Sequence, residues 1–187
     1  MNIINKIEND LQKLLSKPRY EHSLLVAEHA KKLAKIYKIN EEKAYIAGLV
    51  HDIAKEFSDE ENRKWVKKYH LSQELLDPKY SKIIHANIGA VVIKQWYNLD
   101  DDICNAVCYH TIGHVPMTTL EKVVFIADKI GRFEMNDFFE KVKELAYENL
   151  DEALIFFIDS EKIYLKNQGQ EINPITLKLL ENLKKEI

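Results

Sequence analysis

The sequence predicts an all-α protein folded as one compact helical bundle. Three observations lead there. Apolar residues recur at helical spacing over most of the 187 residues. No segment alternates at period two for long enough to build a sheet. Helix-opening signals stand ahead of most of the apolar stripes.

The elements follow in order. Residues 2–16 put Ile3, Ile4, Ile7, Leu11, Leu14 and Leu15 on one stripe, and Pro18 marks a break. Residues 20–37 repeat the pattern through Leu24, Val26, Ala27, Ala30, Leu33 and Ala34. Asn40 suits the cap of a helix over 41–54. Ser58 and Glu61 have capping-box spacing before a helix carrying 65–69. Pro78 separates a short segment from a helix over 82–97, and Asp100 caps another that reaches Tyr109. A loop over 111–118 holds Gly113 and Pro116. Thr118 and Glu121 form a second capping box, opening a helix over 120–130. A second loop lies near 131–136. The tail 137–166 is helical in pattern and breaks near 149–151, with Asp151 as cap. Gly169 stops it, and Asn173-Pro174 starts a final helix to Lys185. With no internal repeat and no flexible linker, one domain over 1–187 is expected, with 1–16 and about 137–187 as its flanking helices.

Composition narrows the function classes. The chain is 46% hydrophobic and 30% charged, an ordinary globular balance. Its 27 basic and 30 acidic residues give a net charge of −3 with the signs mixed along the chain. That argues against a nucleic-acid polymer and against a polybasic membrane patch. No apolar run approaches the roughly 18–20 residues of a membrane helix. The N-terminus lacks the basic-then-apolar order of a signal peptide, so a cytoplasmic location is expected. The only cysteines, Cys104 and Cys108, lie four apart and share a helix face. They cannot build a disulfide framework, and they read as small buried hydrophobes.

The chemistry sits where apolar helices are interrupted. In LVHDIAK, His51 and Asp52 fall side by side within an apolar run, and Asp128 interrupts KVVFIADKI in the same way. A lone ionised carboxylate on an apolar helix face costs several kcal/mol unless it is paired. A divalent cation would compensate it, with neutral imidazoles completing the shell. His22 near the start of one helix, His85 at the start of another and His110 at the end of a third supply them. A His/Asp set without thiolate suits Fe, Mn, Co, Ni or Zn. The plainer reading stands beside it: each His as a hydrogen-bonded core residue, and Asp52 neutralised by Lys55 one turn away. His29 and His70 read as structural or surface residues. Tyr20, Tyr109, Phe125 and Phe133 read as core more readily than as base-stacking groups, with Tyr20 and Phe133 bordering loops.

His22…His51-Asp52…Asp128 resembles the metal-binding pattern of the HD-domain phosphohydrolase superfamily. The segments RYEHSLLVAEHAKKLA, KAYIAGLVHDIAK, HANIGA, HTIGHVPMTTLEKVVFIADKI and ENLDEAL resemble the YqeK family, from Arg19 to about Leu154. The resemblance implies an HD-domain bundle that hydrolyses diadenosine tetraphosphate (Ap4A) symmetrically to two ADP at a two-iron centre. By position it implies that His22, His51, Asp52 and Asp128 hold one metal. His85 and His110 would hold the second, with Asp52 as bridge. Lys55 would contact phosphate. Two departures alter the expected phosphate grip. The family's HTTGR is His110-Thr111-Ile112-Gly113-His114 here, and Gly131-Arg132 follows the ADKI segment at once, without the usual Glu and Pro. The expected catalytic set is therefore Asp52, Lys55, His114 and Arg132. The expected substrate contacts are Lys55, His114, Lys129, Arg132 and Tyr20. The implied partner is a dinucleoside polyphosphate, and a homodimer is compatible with the sequence. Two alternatives stay open: another HD-type activity (a nucleotidase or a cyclic-dinucleotide phosphodiesterase), and a helical ligand-binding protein with a structural metal.

Overall fold

The computed structural model describes residues 2–186; Met1 and Ile187, the ends of the expected domain, lie outside the described residues. Among the described residues every regular element is helical. The elements are α1 (Ile3–Leu14), α2 (Lys17–Ile36), α3 (Glu41–Val50), α4 (Asp59–Lys68), α5 (Ile84–Tyr97), α6 (Asp101–Tyr109), α7 (Thr119–Ile130), α8 (Asp137–Glu148), α9 (Leu150–Asn167) and α10 (Pro174–Glu186). Two short 3-10 turns, Gln73–Leu76 and Pro78–Tyr80, link α4 to α5. The centre is made by α2 packed on α3 and α7, with α6 bridging α5 and α7. The pair α8–α9 covers one side, and α10 packs on α9. Apolar side chains from α1 through α10 join one contiguous cluster, with Leu33, Leu49, Ile88, Phe125, Ile126 and Leu154 fully buried within it. Fully burying a side chain of that size contributes about 1.5–3 kcal/mol.

Both capping boxes form as the spacing predicts: Ser58 with Glu61 opens α4, and Thr118 with Glu121 opens α7. Asn40 caps α3 by accepting from the Lys43 N–H. Some boundaries and caps differ from expectation. Pro18 does not end a helix; it sits in the first turn of α2, where its missing N–H costs nothing. The break falls at Leu15–Ser16, and the Glu56 carboxylate accepts from both the backbone N–H and the hydroxyl of Ser16. The third helix stops at Val50 rather than Ala54. Beyond it the chain turns by i→i+3 bonds, Ile53 to Val50, Lys55 to Asp52 and Phe57 to Ala54. Asp100 holds the cap position of α6 without a side-chain cap bond, because its carboxylate pairs with Lys43 at 2.7 Å. Asn149, not Asp151, caps α9 by accepting from two N–H groups, while Asp151 pairs with Lys122 at 2.6 Å. Cys104 and Cys108 are free thiols and only partly buried. Burial pushes the Cys108 thiol up to about 11.

Candidate metal centre

Helix ends position the polar cluster. His51 is the first residue past α3, His110 the first past α6, and His85 lies in the first turn of α5. His22 lies in the second turn of α2, and Asp128 near the end of α7. The last carbonyls of a helix lack intrahelical partners, and three imidazoles use them. Nδ1–H of His51 donates to the Gly48 carbonyl at 2.7 Å, that of His110 to Val107 at 2.7 Å, and that of His22 to Gly131 at 2.8 Å. A carbonyl can only accept, so each Nδ1 carries a proton, and in the neutral imidazole Nε2 presents a lone pair.

Those lone pairs converge on carboxylates. Asp128 Oδ1 lies 3.2 Å from His22 Nε2 and 3.5 Å from His51 Nε2. The two oxygens of Asp52 face different groups. Oδ2 lies 3.5 Å from His51 Nε2, whereas Oδ1 lies 3.1 Å from His85 Nε2 and 3.7 Å from His110 Nε2. His85 Nε2 and His110 Nε2 are 3.3 Å apart. The side chains thus form two ligand sets that share Asp52: His22, His51 and Asp52, and Asp52, His85 and His110. His51 Nε2 and Asp52 Oδ1 are buried without any hydrogen-bond partner. A cation seated between these ligand atoms would satisfy them. The donor set, all imidazole nitrogen and carboxylate oxygen, fits a divalent first-row metal at each group.

The protein's own cations flank the cluster. Arg19 Nη1 lies 2.8 Å from Asp52 Oδ2, and Lys129 Nζ lies 2.8 Å from Asp128 Oδ2. Lys55 Nζ is 3.2 Å from His85 Nε2 and farther, 3.9 Å, from Asp52 Oδ1. Burial works against every charge here. It pushes the His85 imidazole down to about 4 and lowers His110 and Lys55. At Asp52 burial opposes ionisation, but His51, His110 and His85 outweigh it and hold the carboxyl below its usual range. Asp128 is lowered despite burial by Lys129, His22 and His51. Burial also opposes a proton on His51, and Asp52 and Asp128 outweigh it to raise that imidazole.

Asp52, His85, His110 and Asp128 of the cluster line a cavity of about 1100 Å³, with His22 and His51 behind them. The cavity runs past Arg19, Lys55 and Lys129, toward α4 and the 3-10 turns on one side and toward the α9–α10 junction on the other. His114, Arg132 and Tyr20, expected to touch substrate, are not in its lining. His114 Nε2 is 3.0 Å from Glu121 Oε2, and its ring lies over Tyr109. Arg132 donates to the Lys129 carbonyl and packs its guanidinium 4.0 Å from the Phe139 ring centre. The Tyr20 hydroxyl accepts from Gln12. Each of the three is already engaged. Sequence reasoning missed Arg19, although it stands one helical turn before His22, a spacing that puts both on one face.

Similar proteins were found in three comparisons. The family model for the HD domain matches residues 19–132. The symmetrical bis(5'-nucleosyl)-tetraphosphatase of Halalkalibacterium halodurans is 33% identical, over 87% of this chain and 87% of that protein. The protein of the same description from Bacillus subtilis is 33% identical with the same coverage of both chains. That of Staphylococcus aureus is 34% identical over 77% of this chain and 74% of its own. A crystal structure of an HD superfamily hydrolase from Clostridium acetobutylicum, described as involved in NAD metabolism, superposes with a TM-score of 0.89 at 32% identity, covering 98% of each chain.

Proposed function

This chain belongs to the HD-domain family, among the relatives of the symmetrical bis(5'-nucleosyl)-tetraphosphatases, and is a metal-dependent phosphohydrolase; from that footing we propose that it cleaves diadenosine tetraphosphate to two ADP. The observation that carries the reading is the double ligand set sharing Asp52 at a cation-flanked cavity. A volume of about 1100 Å³ exceeds the space one nucleotide needs and reaches the upper end of small-molecule sites, about 1000 Å³.

In this reading His22, His51, Asp52 and Asp128 hold one ion, and His85 and His110 hold a second that shares Asp52. Iron is the proposed metal, on the family resemblance. When bound, the ions supply a water of lowered pKa and Lewis-acid polarisation of the phosphoryl oxygens. The protein's part is placement and charge. Arg19, Lys55 and Lys129 move from their carboxylate partners toward the polyphosphate and neutralise it. Water oxygen bonds to one inner phosphorus, the bond from that phosphorus to the central bridging oxygen breaks, and the bridging oxygen leaves on the second ADP. The Nδ1–H bonds to Gly48, Val107 and Gly131 keep three rings fixed throughout. The reading takes residues 1–187 as one unit working in the cytoplasm. No helix among the described residues is long and apolar enough to cross a membrane.

The test is product analysis with anaerobically purified, iron-loaded protein, together with elemental analysis of the same preparation. ADP as the sole nucleotide product from Ap4A supports the reading. ATP with AMP, or no turnover with iron, manganese or cobalt, overturns it.

A further inference from the structure

The two arms of the cavity differ in charge. The arm toward α4 and the 3-10 turns is lined by Arg63, Lys79 and Lys82, against Asp59 and Asp77. Both of its carboxylates are engaged locally. Asp77 accepts from the Lys79 N–H at 2.9 Å and pairs with Lys79 Nζ at 3.6 Å. Asp59 stands in the first turn of α4, where the helix dipole favours a negative charge. Arg63 and Lys82 are exposed, and among the described residues no carboxylate pairs with either. The arm toward α9 and α10 has Glu161 and Glu171 in its lining and no cation. Exposed charges of this kind add little to the fold. In a cleft walled by protein, charge of one sign is focused and sorts what enters.

A dinucleoside tetraphosphate is symmetric, with a neutral nucleoside at each end and its phosphates in the middle. On such a substrate the arm of Arg63 and Lys82 meets a nucleoside, which carries no charge to pair with them. A substrate with one nucleoside end and one phosphate end matches both arms. We propose that the protein also cleaves nucleoside 5'-tetraphosphates. The terminal pyrophosphoryl group lies in the arm of Arg63, Lys79 and Lys82, and the nucleoside lies away from it, on the side of Glu161 and Glu171. For the bond that is cut, the proposal rests on the dinucleotide reading above. In both substrates that bond follows the second phosphorus from a nucleoside. Water oxygen bonds to that phosphorus, its bond to the bridging oxygen toward the third phosphorus breaks, and the bridging oxygen leaves on pyrophosphate. The protons of the water end on the product phosphates or in solvent, as pH sets. The products are a nucleoside diphosphate and pyrophosphate.

The test measures kcat/KM for adenosine 5'-tetraphosphate and for Ap4A at low ionic strength. It uses the metal-loaded protein and the triple variant Arg63→Gln, Lys79→Gln, Lys82→Gln. Adenosine 5'-tetraphosphate should yield ADP and pyrophosphate in equal amounts, with kcat/KM at least equal to that for Ap4A. In the triple variant the ratio of the two values falls by about tenfold, because three exposed ion pairs contribute a few-fold each at most. The thermal midpoint holds, since all three side chains are exposed. At about 1 M salt the Debye length shrinks to about 3 Å, and the ratio in the native protein falls toward that of the variant. An unchanged ratio in the triple variant, release of ATP with phosphate, or turnover of Ap4A with adenosine 5'-tetraphosphate left intact overturns the proposal and leaves the dinucleotide reading standing. Turnover of neither substrate overturns both.

Discussion

Gly48→Ala tests the link between helix packing and the metal cluster. Gly48 is buried at the contact of α3 with α2. A Cβ there would stand 2.8 Å from Ala27 Cα, 3.0 Å from Ala27 N and 3.0 Å from Val26 O. All three are main-chain atoms, so no side chain can rotate out of the way. Ordinary contact begins at 3.4 Å, and the difference from 2.8 Å means the helices must part by about 0.6 Å. Overpacking of this kind costs about 1–3 kcal/mol, and main-chain neighbours put it at the upper end. Replacing Gly by Ala inside a helix returns about 1 kcal/mol. The net loss is about 2 kcal/mol, which lowers the thermal midpoint by about 4–8 °C for a chain of this size. The displacement also reaches the metal cluster. His22 rides on α2 and His51 on the end of α3, with ring centres 5.2 Å apart. Ligand positions tolerate only about 0.2 Å. The His22–His51–Asp52 group should lose affinity by about 10–100-fold, while Asp52, His85 and His110, none of them on α2, keep theirs. Differential scanning calorimetry and metal titration read both effects. A midpoint that holds or rises, with both ions bound at native affinity, refutes the reasoning.

Other outcomes follow from the same geometry. Asp52→Asn weakens both ligand sets at once, because both use Asp52; bound metal falls toward one ion or none by elemental analysis, and turnover drops at least about a hundredfold. Metal at a hundred times its Kd adds about 2.7 kcal/mol, so chelation lowers the thermal midpoint by about 5–10 °C. Imidazoles must be neutral to ligate, and Asp52 and Asp128 raise the His51 imidazole in the metal-free protein. Metal affinity therefore weakens as pH falls, and titration calorimetry in buffers of different ionisation enthalpy should record proton release on binding. Away from the cluster, burial first, then Lys32 and Lys143, push the His29 imidazole from 6.5 down to about 4. Between those values the unfolded chain takes up a proton that the folded chain refuses, so stability is full above pH 6.5 and is lost as pH falls toward 4. The gap is worth at most about 3 kcal/mol, and partial exposure of the ring reduces it to about 1 kcal/mol. His29→Gln should flatten that slope in chemical denaturation.

The helices were legible because their signals are local. Ser58 with Glu61 and Thr118 with Glu121 are pairs three residues apart, and both form as spacing predicts. The end of α3 was not legible. Its apolar pattern continues through Ile53 and Ala54, and only the hydrogen-bond pattern changes, from i→i+4 to i→i+3. His51 and Asp52 were visible as an interruption in an apolar run, and their burial accords with that signal. The cations divide for a physical reason. Lys55 and Lys129 line the cavity from positions within three residues of Asp52 and Asp128. His114 and Arg132 lie close in sequence to the family motifs, yet neither lines the cavity. What engages them, Glu121 and Phe139, lies seven residues away along the chain in each case, on the next helix. No local pattern displays such a pairing.

Two glycines explain why the cluster and the packing of α2 form together. Gly131 resembles Gly48: a Cβ on it would stand 2.7 Å from Val26 Cγ2 and 3.1 Å from Val26 Cα. At Val26–Ala27, then, α2 is held between α3 and the end of α7 by two residues without side chains. The same two glycines supply the carbonyls that orient His51 and His22. Each carbonyl belongs to the C-terminal end of a helix, where acceptors are unsatisfied and the helix dipole favours a donor such as Nδ1–H. Close approach brings the His22 ring to the Gly131 carbonyl, and that hydrogen bond in turn aims Nε2 at Asp128 at 3.2 Å. Ring orientation is thus a consequence of helix packing rather than of a separate ligand-positioning shell. Gly131→Ala should accordingly misplace His22 while leaving His85 and His110 in register, since His110 takes its orientation from Val107 on α6. One metal should be lost and the other kept, as with Gly48→Ala, although the two substitutions press on α2 from different helices. Loss of both ions together in either variant, with the fold intact, would mean that the two ligand sets are not independent and that Asp52 couples them.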